Sequence, residues 1–113
     1  MKGLILTAAV LLLLGAQIPA FAVTAAENYK KNCFKCHGEG GRGDGPSARV
    51  LDVEPADFSD CSHMKSLTDA YLLEIVKKGG EAVGKSLQMP PAAKVAEEDL
   101  PALIDYIRSF CEE

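Results

Sequence analysis

The five residues from Cys33 to His37 read Cys-Phe-Lys-Cys-His and could hold a haem covalently. Two thiols three residues apart can each add to a vinyl group of the porphyrin, and the adjacent imidazole can then reach the iron from one face. A Cys-x-x-Cys pair alone would also suit half of a zinc site or a thioredoxin-like redox pair. Zinc needs two more ligands, and the redox motif needs a βαβ context. Neither is evident, so the motif predicts one haem c, attached through Cys33 and Cys36, with His37 as an axial ligand.

The residues around this motif predict the local structure that presents it. Thr24 can cap a helix, and Glu27 three residues later completes a capping box, so a helix is expected to run into Cys33. The stretch 38–46 holds five glycines and ends in a proline, which predicts a loop. This loop lacks the lysine and hydroxyl residue of a phosphate-binding loop and follows no predicted strand, so a phosphate site is not expected.

Apolar residues at helical spacing predict two later helices. The first spans Leu67 to Lys78 and stops at the glycine pair 79–80. The second spans about Glu98 to Cys111, and Pro101 suits it only within the first turn. Its buried stripe is ordinary core, formed by Leu100, Leu103, Ile104, Ile107 and Phe110. No stretch has the pattern of a strand, so the predicted fold class is all-α.

The N-terminal residues predict export. Lys2 precedes an apolar run from Gly3 to Leu14, and Ala20, Phe21 and Ala22 form a small-residue cleavage site. The run is shorter than the roughly 20 residues that a spanning helix needs, although an uncleaved anchor is the alternative. We therefore expect a secretory signal peptide at 1–22 and one domain at 23–113, located in the periplasm.

In their order along the chain, these motifs resemble the class I cytochrome c family over nearly all of residues 23–113. In that family an aromatic residue four positions before the first haem cysteine packs on a terminal helix with a Leu, Tyr pair. Tyr29 would then pack on Leu103 and Tyr106. The resemblance implies the cytochrome c fold, in which helices and loops wrap around one covalent haem. Ala25 and Pro101 depart from the family pattern, at positions that concern helix packing only.

The resemblance also implies how the iron ligands are held. The family's Gly-Pro pair matches positions 45 and 46, and the carbonyl of Pro46 would accept a hydrogen bond from the ring of His37. The sequence Gln-Met-Pro-Pro at 88–91 is similar to the segment that carries the sixth ligand, so Met89 is expected to bind the iron. His63 as the sixth ligand and an open sixth site are the alternatives. Met64 suits core filling.

The two cysteines outside the haem motif, Cys61 and Cys111, are an even number in an oxidising compartment. They are expected to form a disulfide between the middle loop and the end of the last helix. Two free thiols and an intermolecular bridge are the alternatives.

The charge composition excludes some classes of binding partner but does not identify a particular one. The chain carries 12 basic and 16 acidic side chains, for a net charge of −4. Nucleic acid is therefore not an expected partner, and the acidic excess suits either docking to a redox protein or simply a soluble surface. Membrane association is expected only through a complex with a membrane redox enzyme, and a monomer is expected.

The function that these observations favour is electron transfer by a periplasmic monohaem protein with His37 and Met89 as axial ligands. It would not be an enzyme, and its donor and acceptor would be redox proteins that the sequence does not identify. The alternative is a small-ligand sensor or a peroxidase-like enzyme with an open sixth site. A third hypothesis is that the protein is an electron-carrying module within a larger oxidase or dehydrogenase complex.

Overall fold

The computed structural model describes residues 3–5, 15 and 23–112. The predicted cleavage site and nearly all of the predicted signal peptide lie outside these residues. The described part is helical and contains no strand, as the sequence predicts. Its α-helices are α1 (Ala25–Asn32), α2 (Phe34–His37), α3 (Cys61–Lys65), α4 (Asp69–Lys78) and α5 (Leu100–Ser109). Short 3-10 turns lie at Ala48–Val50, Glu81–Val83 and Glu97–Asp99.

Helices α1 and α4 begin at threonine caps. The hydroxyl of Thr24 accepts a hydrogen bond from the Glu27 N–H at 3.2 Å, which confirms the predicted start of α1. The hydroxyl of Thr68 likewise accepts from the Tyr71 N–H at 3.1 Å, so α4 begins two residues later than predicted. Gly79, with a φ of +87°, ends α4 where the glycine pair predicts.

The last helix is shorter than predicted at both ends. Residues Glu97–Asp99 form a 3-10 turn instead of the first turn of α5, which begins at Leu100. Pro101 lies in the first turn, where its missing N–H is not needed for an intrahelical bond. The helix ends at Ser109, two residues before the predicted end.

Helices α1 and α5 pack through aromatic rings. The ring centroid of Tyr29 lies 5.3 Å from that of Tyr106 and 5.0 Å from that of Phe110. Leu103 of α5 is fully buried in the same core, so the predicted packing of Tyr29 is confirmed. The Tyr29 hydroxyl donates a 2.6 Å hydrogen bond to the carbonyl of Gly38, directly after the haem motif. This crossing therefore also fixes the C-terminal end of α2.

Helix α3 was not predicted from the sequence. Its N-terminus is capped by Asp60, whose carboxylate accepts from the His63 N–H at 3.1 Å. Its other end is tied to α5 by Arg108, whose guanidinium donates to the carbonyls of Met64 at 3.1 Å and Leu67 at 2.7 Å. The same guanidinium pairs with Asp69 at 2.7 Å. Arg108 therefore fixes both α3 and the start of α4 against the last helix.

Candidate haem site

A cavity of about 510 Å³ lies between α2, α4 and the loop that precedes α5. Its walls include four of the five residues predicted for the haem site, Cys33, Cys36, His37 and Met89, and the fifth, Pro46, does not line it. Leu72, Val76 and Ile107 supply a buried apolar surface on the same cavity. This volume lies within the range of cofactor pockets, which are mostly apolar with a few placed polar groups.

The haem motif is itself a short helix. The N–H of His37 bonds to the carbonyl of Cys33 at 2.9 Å, and the N–H of Cys36 bonds to the same carbonyl at 3.3 Å. This turn places Cys33, Cys36 and His37 together on the wall of one cavity. Neither thiol is in a disulfide, so both are available for addition to a porphyrin. Burial, and secondarily the charge of Cys36, raises the pKa of Cys33 to about 11, which keeps its thiol protonated.

His37 is held by a backbone carbonyl. The ring is buried, and its Nδ1 lies 3.1 Å from the carbonyl oxygen of Ala56. A carbonyl can only accept, so Nδ1 carries the proton and the lone pair of Nε2 is free for a metal. Burial lowers the pKa of His37, and the hydrogen bond to Ala56 opposes that change only in part. The imidazole is therefore neutral, as a ligand must be.

The prediction that the Pro46 carbonyl orients His37 is wrong. Pro46 is exposed, and its neighbours turn back onto the backbone of α2: the N–H of Gly45 bonds to the carbonyl of Cys36 at 3.0 Å, and that of Ser47 to Lys35 at 2.8 Å. A Cβ at Gly45 would lie 2.2 Å from the Lys35 carbonyl, so the close approach requires glycine. The Gly-Pro pair thus packs on the helix backbone, and the ring of His37 bonds to the Ala56 carbonyl instead.

The segment that does hold His37 follows a second proline, Pro55. Phe58 stacks on the imidazole with ring centroids 4.3 Å apart, and its N–H bonds to the carbonyl of Gly41 at 2.6 Å. Ala56 was missed from the sequence because its role depends on a backbone carbonyl, which every residue type has. The neighbouring Pro-x-x-Phe pattern was the available signal.

Met89 lies on the cavity wall in a loop fastened to the end of α4. Its carbonyl accepts a 2.9 Å hydrogen bond from the Gly80 N–H, and the Ala92 N–H bonds to the carbonyl of Val76 at 2.9 Å. A Cβ at Gly79 would meet the Met89 carbonyl at 2.9 Å, and that glycine has a positive φ. The glycine pair therefore lets the Met89 loop approach α4 closely.

The structure places the other methionine and the other histidine of the domain in different surroundings. Met64 is 2% exposed, belongs to the hydrophobic core and is not among the residues that line the cavity. His63 is exposed on α3 but does line the cavity. Both His63 and Met89 thus line the cavity that His37 also lines, and Met89 is the more buried of the two.

The residues present fit a covalent haem. Two free thiols, a neutral imidazole with its Nδ1 already bonded, and a thioether share one apolar cavity. An oriented histidine with a hydrogen-bonded second nitrogen is the usual arrangement of a metal ligand. Thioether and imidazole are a known axial pair for haem iron.

A family model described as "Cytochrome C oxidase, cbb3-type, subunit III" matches residues 20–107. The chain belongs to the cytochrome c family. Cytochrome c-552 of Nitrosomonas europaea is 31% identical to this cytochrome over 78 residues, which are 69% of each chain. A solved structure titled "KustC0563 c-type cytochrome" superposes with a TM-score of 0.63 at 22% identity, covering 80% of this chain and all of the other.

These similarities confirm the family and the all-α cytochrome c fold that the motifs indicate. Family membership implies a covalently bound haem c and a role in haem-based electron transfer. Cytochrome c homologues are typically electron carriers and not enzymes. Among the residues that the structure describes, no helix is long and apolar enough to cross a membrane.

Proposed function

We propose that this cytochrome is a periplasmic one-electron carrier with a single haem c, attached through Cys33 and Cys36 and ligated by His37 and Met89. The observation that carries the proposal is that these four side chains border one apolar cavity. When bound, the haem would supply one-electron cycling between ferrous and ferric iron.

The protein's own residues set the conditions for that cycling. His37 enters as a neutral donor whose ring is fixed by the Ala56 carbonyl and by the stacked ring of Phe58. The thioether of Met89 would hold the bound iron from the second side of its coordination and would stabilise its ferrous state, which would raise the reduction potential. The buried side chains of Leu72, Val76 and Ile107 exclude water from one side of the cavity. Two protein ligands that stay in place suit fast electron exchange, because little has to rearrange.

The redox partners of this carrier are proposed to be other electron-transfer proteins. The net charge of −4 supports a soluble surface that can dock to a basic patch, and we propose that the carrier is a monomer.

Export is the second part of the proposal. The Lys2 charge, the apolar run and the Ala20-to-Ala22 site support cleavage after Ala22. An oxidising compartment also suits a disulfide between Cys61 and Cys111, and their Cα separation of 5.1 Å, within the range of disulfides, supports this proposal. We expect the intact mass of the purified holoprotein to equal residues 23–113, less two hydrogen atoms for the disulfide, plus one haem. A mass that includes residues 1–22 would contradict the proposed cleavage.

The ligation is tested by visible absorption and carbon monoxide binding on the holoprotein. Methionine sulfur on ferric haem gives a weak far-red band, and we expect this band together with slow carbon monoxide binding after reduction. If the band is absent and carbon monoxide binds at once, the sixth site is open and the sensor or peroxidase-like alternative is favoured. If the band is absent and carbon monoxide does not bind, His63 on the cavity wall becomes the sixth ligand.

A further inference from the structure

One side-chain hydrogen bond joins two loops at the rim of the cavity. The side-chain carbonyl Oε1 of Gln88 accepts from the backbone N–H of Asp52 at 2.8 Å, across 36 residues of sequence. Gln88 lies on the cavity wall directly before Met89. Asp52 lies between Leu51 and Val53, which line the cavity from the other loop.

The two joined loops support the two proposed axial ligands. The loop with Asp52 continues to Ala56, whose carbonyl holds the ring of His37. The loop with Gln88 continues to Met89. The second loop is also fastened by backbone bonds to Gly80, which follows α4. The bond from Asp52 to Gln88 fastens the same loop to the first one, so it links the supports of both ligands.

We propose that Gln88 is a positioning residue that holds the Met89 loop closed over the haem. The inference rests on the proposed ligation by His37 and Met89. Gln88 is exposed, so shortening its side chain removes the cross-loop bond and leaves the buried core unchanged. Without that bond, the methionine leaves the iron more often, because the open form of the loop gains population relative to the closed form.

Carbon monoxide reports this opening, since it binds ferrous haem only after Met89 has left the iron. A hydrogen bond of ordinary net strength corresponds to a population change of about two- to tenfold. We therefore expect Gln88→Ala to accelerate carbon monoxide binding by that factor and to weaken the far-red band of the ferric protein. The equilibrium constant for denaturant unfolding should rise by no more than the same two- to tenfold factor, whereas a general loss of structure would raise it further.

Leu87→Ala is the matched control. Leu87 precedes Gln88 in the same loop and is 73% exposed, so its truncation changes the loop surface and leaves the bond to Asp52 intact. Its carbon monoxide rate should match that of the wild type. An unchanged rate in Gln88→Ala, or an equal acceleration in Leu87→Ala, would overturn the proposal.

A second variant removes the donor in place of the acceptor. Asp52→Pro deletes the N–H, and Leu51 already has the extended conformation, with φ −88° and ψ 146°, that precedes proline. We expect Asp52→Pro, Gln88→Ala and the double variant to share one carbon monoxide rate, because all three lack the same bond. Accelerations that multiply in the double variant would overturn the proposal.

The wild-type spectrum distinguishes a failure of the proposed ligation by Met89 from a failure of the proposed role of Gln88. A wild-type protein without the far-red band would overturn the ligation by Met89 and the role of Gln88 with it. A wild type that has the band, together with a Gln88→Ala variant of unchanged rate, would overturn the role of Gln88 alone.

Discussion

Replacing Met89 with leucine is expected to abolish the far-red band and to let carbon monoxide bind the ferrous protein without delay. Leucine keeps the volume of the side chain and removes only the sulfur. Loss of the thioether removes a ligand that favours ferrous iron, so the reduction potential should fall by on the order of 0.1 V, a modest part of the ~0.8 V that axial ligands span. Absorption spectroscopy and a redox titration of the holoprotein measure both effects.

Met64→Leu is the matched control for this substitution. It removes the other methionine sulfur of the domain at a core position that is 2% exposed, and a volume-conserving exchange there should cost less than about 1.5 kcal/mol. The far-red band should therefore persist in Met64→Leu. A Met89→Leu protein that retained a native-like far-red band would refute the assignment of Met89.

The fate of the sixth site in Met89→Leu depends on His63. This histidine is exposed on α3 and lines the same cavity, so its imidazole is the candidate to replace Met89 as the sixth ligand. Helix α3 is held to α5 by Arg108 through the carbonyls of Met64 and Leu67. Because α3 is fixed, we expect His63 not to move onto the iron. The sixth site would then stay open, and carbon monoxide would bind rapidly.

The parts of the fold that local residue chemistry determines could be predicted from the sequence. The threonine cap of α1, the glycine stop of α4 and the haem motif each depend on residues within one helical turn of each other. Helix α3 could not be predicted in this way, because five residues are too few to show a periodicity. Its existence depends on Asp60 as a cap and on Arg108, which lies far along the chain.

The site shows the same division. Side-chain types identified Cys33, Cys36 and His37, and the structure places all three on one cavity with Met89. The acceptor for His37 is the backbone oxygen of Ala56, which no residue type could have indicated. The Gly-Pro pair, which is similar to that of the family, predicted Pro46 instead. The bond of Gln88 to Asp52 likewise uses a backbone N–H, whose position only the folded loops determine.

Replacing both Cys61 and Cys111 with serine is expected to lower the free energy of unfolding by about 4 kcal/mol in the loop-entropy model. The proposed bridge spans a sequence separation of 50, and it would join the start of α3 to the residues just after α5. For a domain of this size that is a large share of the total, since ΔG of unfolding is only about 5–15 kcal/mol. Denaturant unfolding of the ferric holoprotein, compared with the wild type, measures the loss.

The matched controls distinguish the effect of the bridge on stability from effects on local packing and on the haem site. Cys61→Ser alone should lose nearly as much stability as the double variant, because either change opens the same loop. The far-red band should persist in both variants, since Arg108 still holds α3 against α5 through its bonds to Met64 and Leu67. The denatured, unreduced wild type should show no titratable thiol, because Cys33 and Cys36 would be thioethers and the other two a disulfide. Two free thiols, or an unfolding midpoint unchanged by the substitutions, would contradict the bridge.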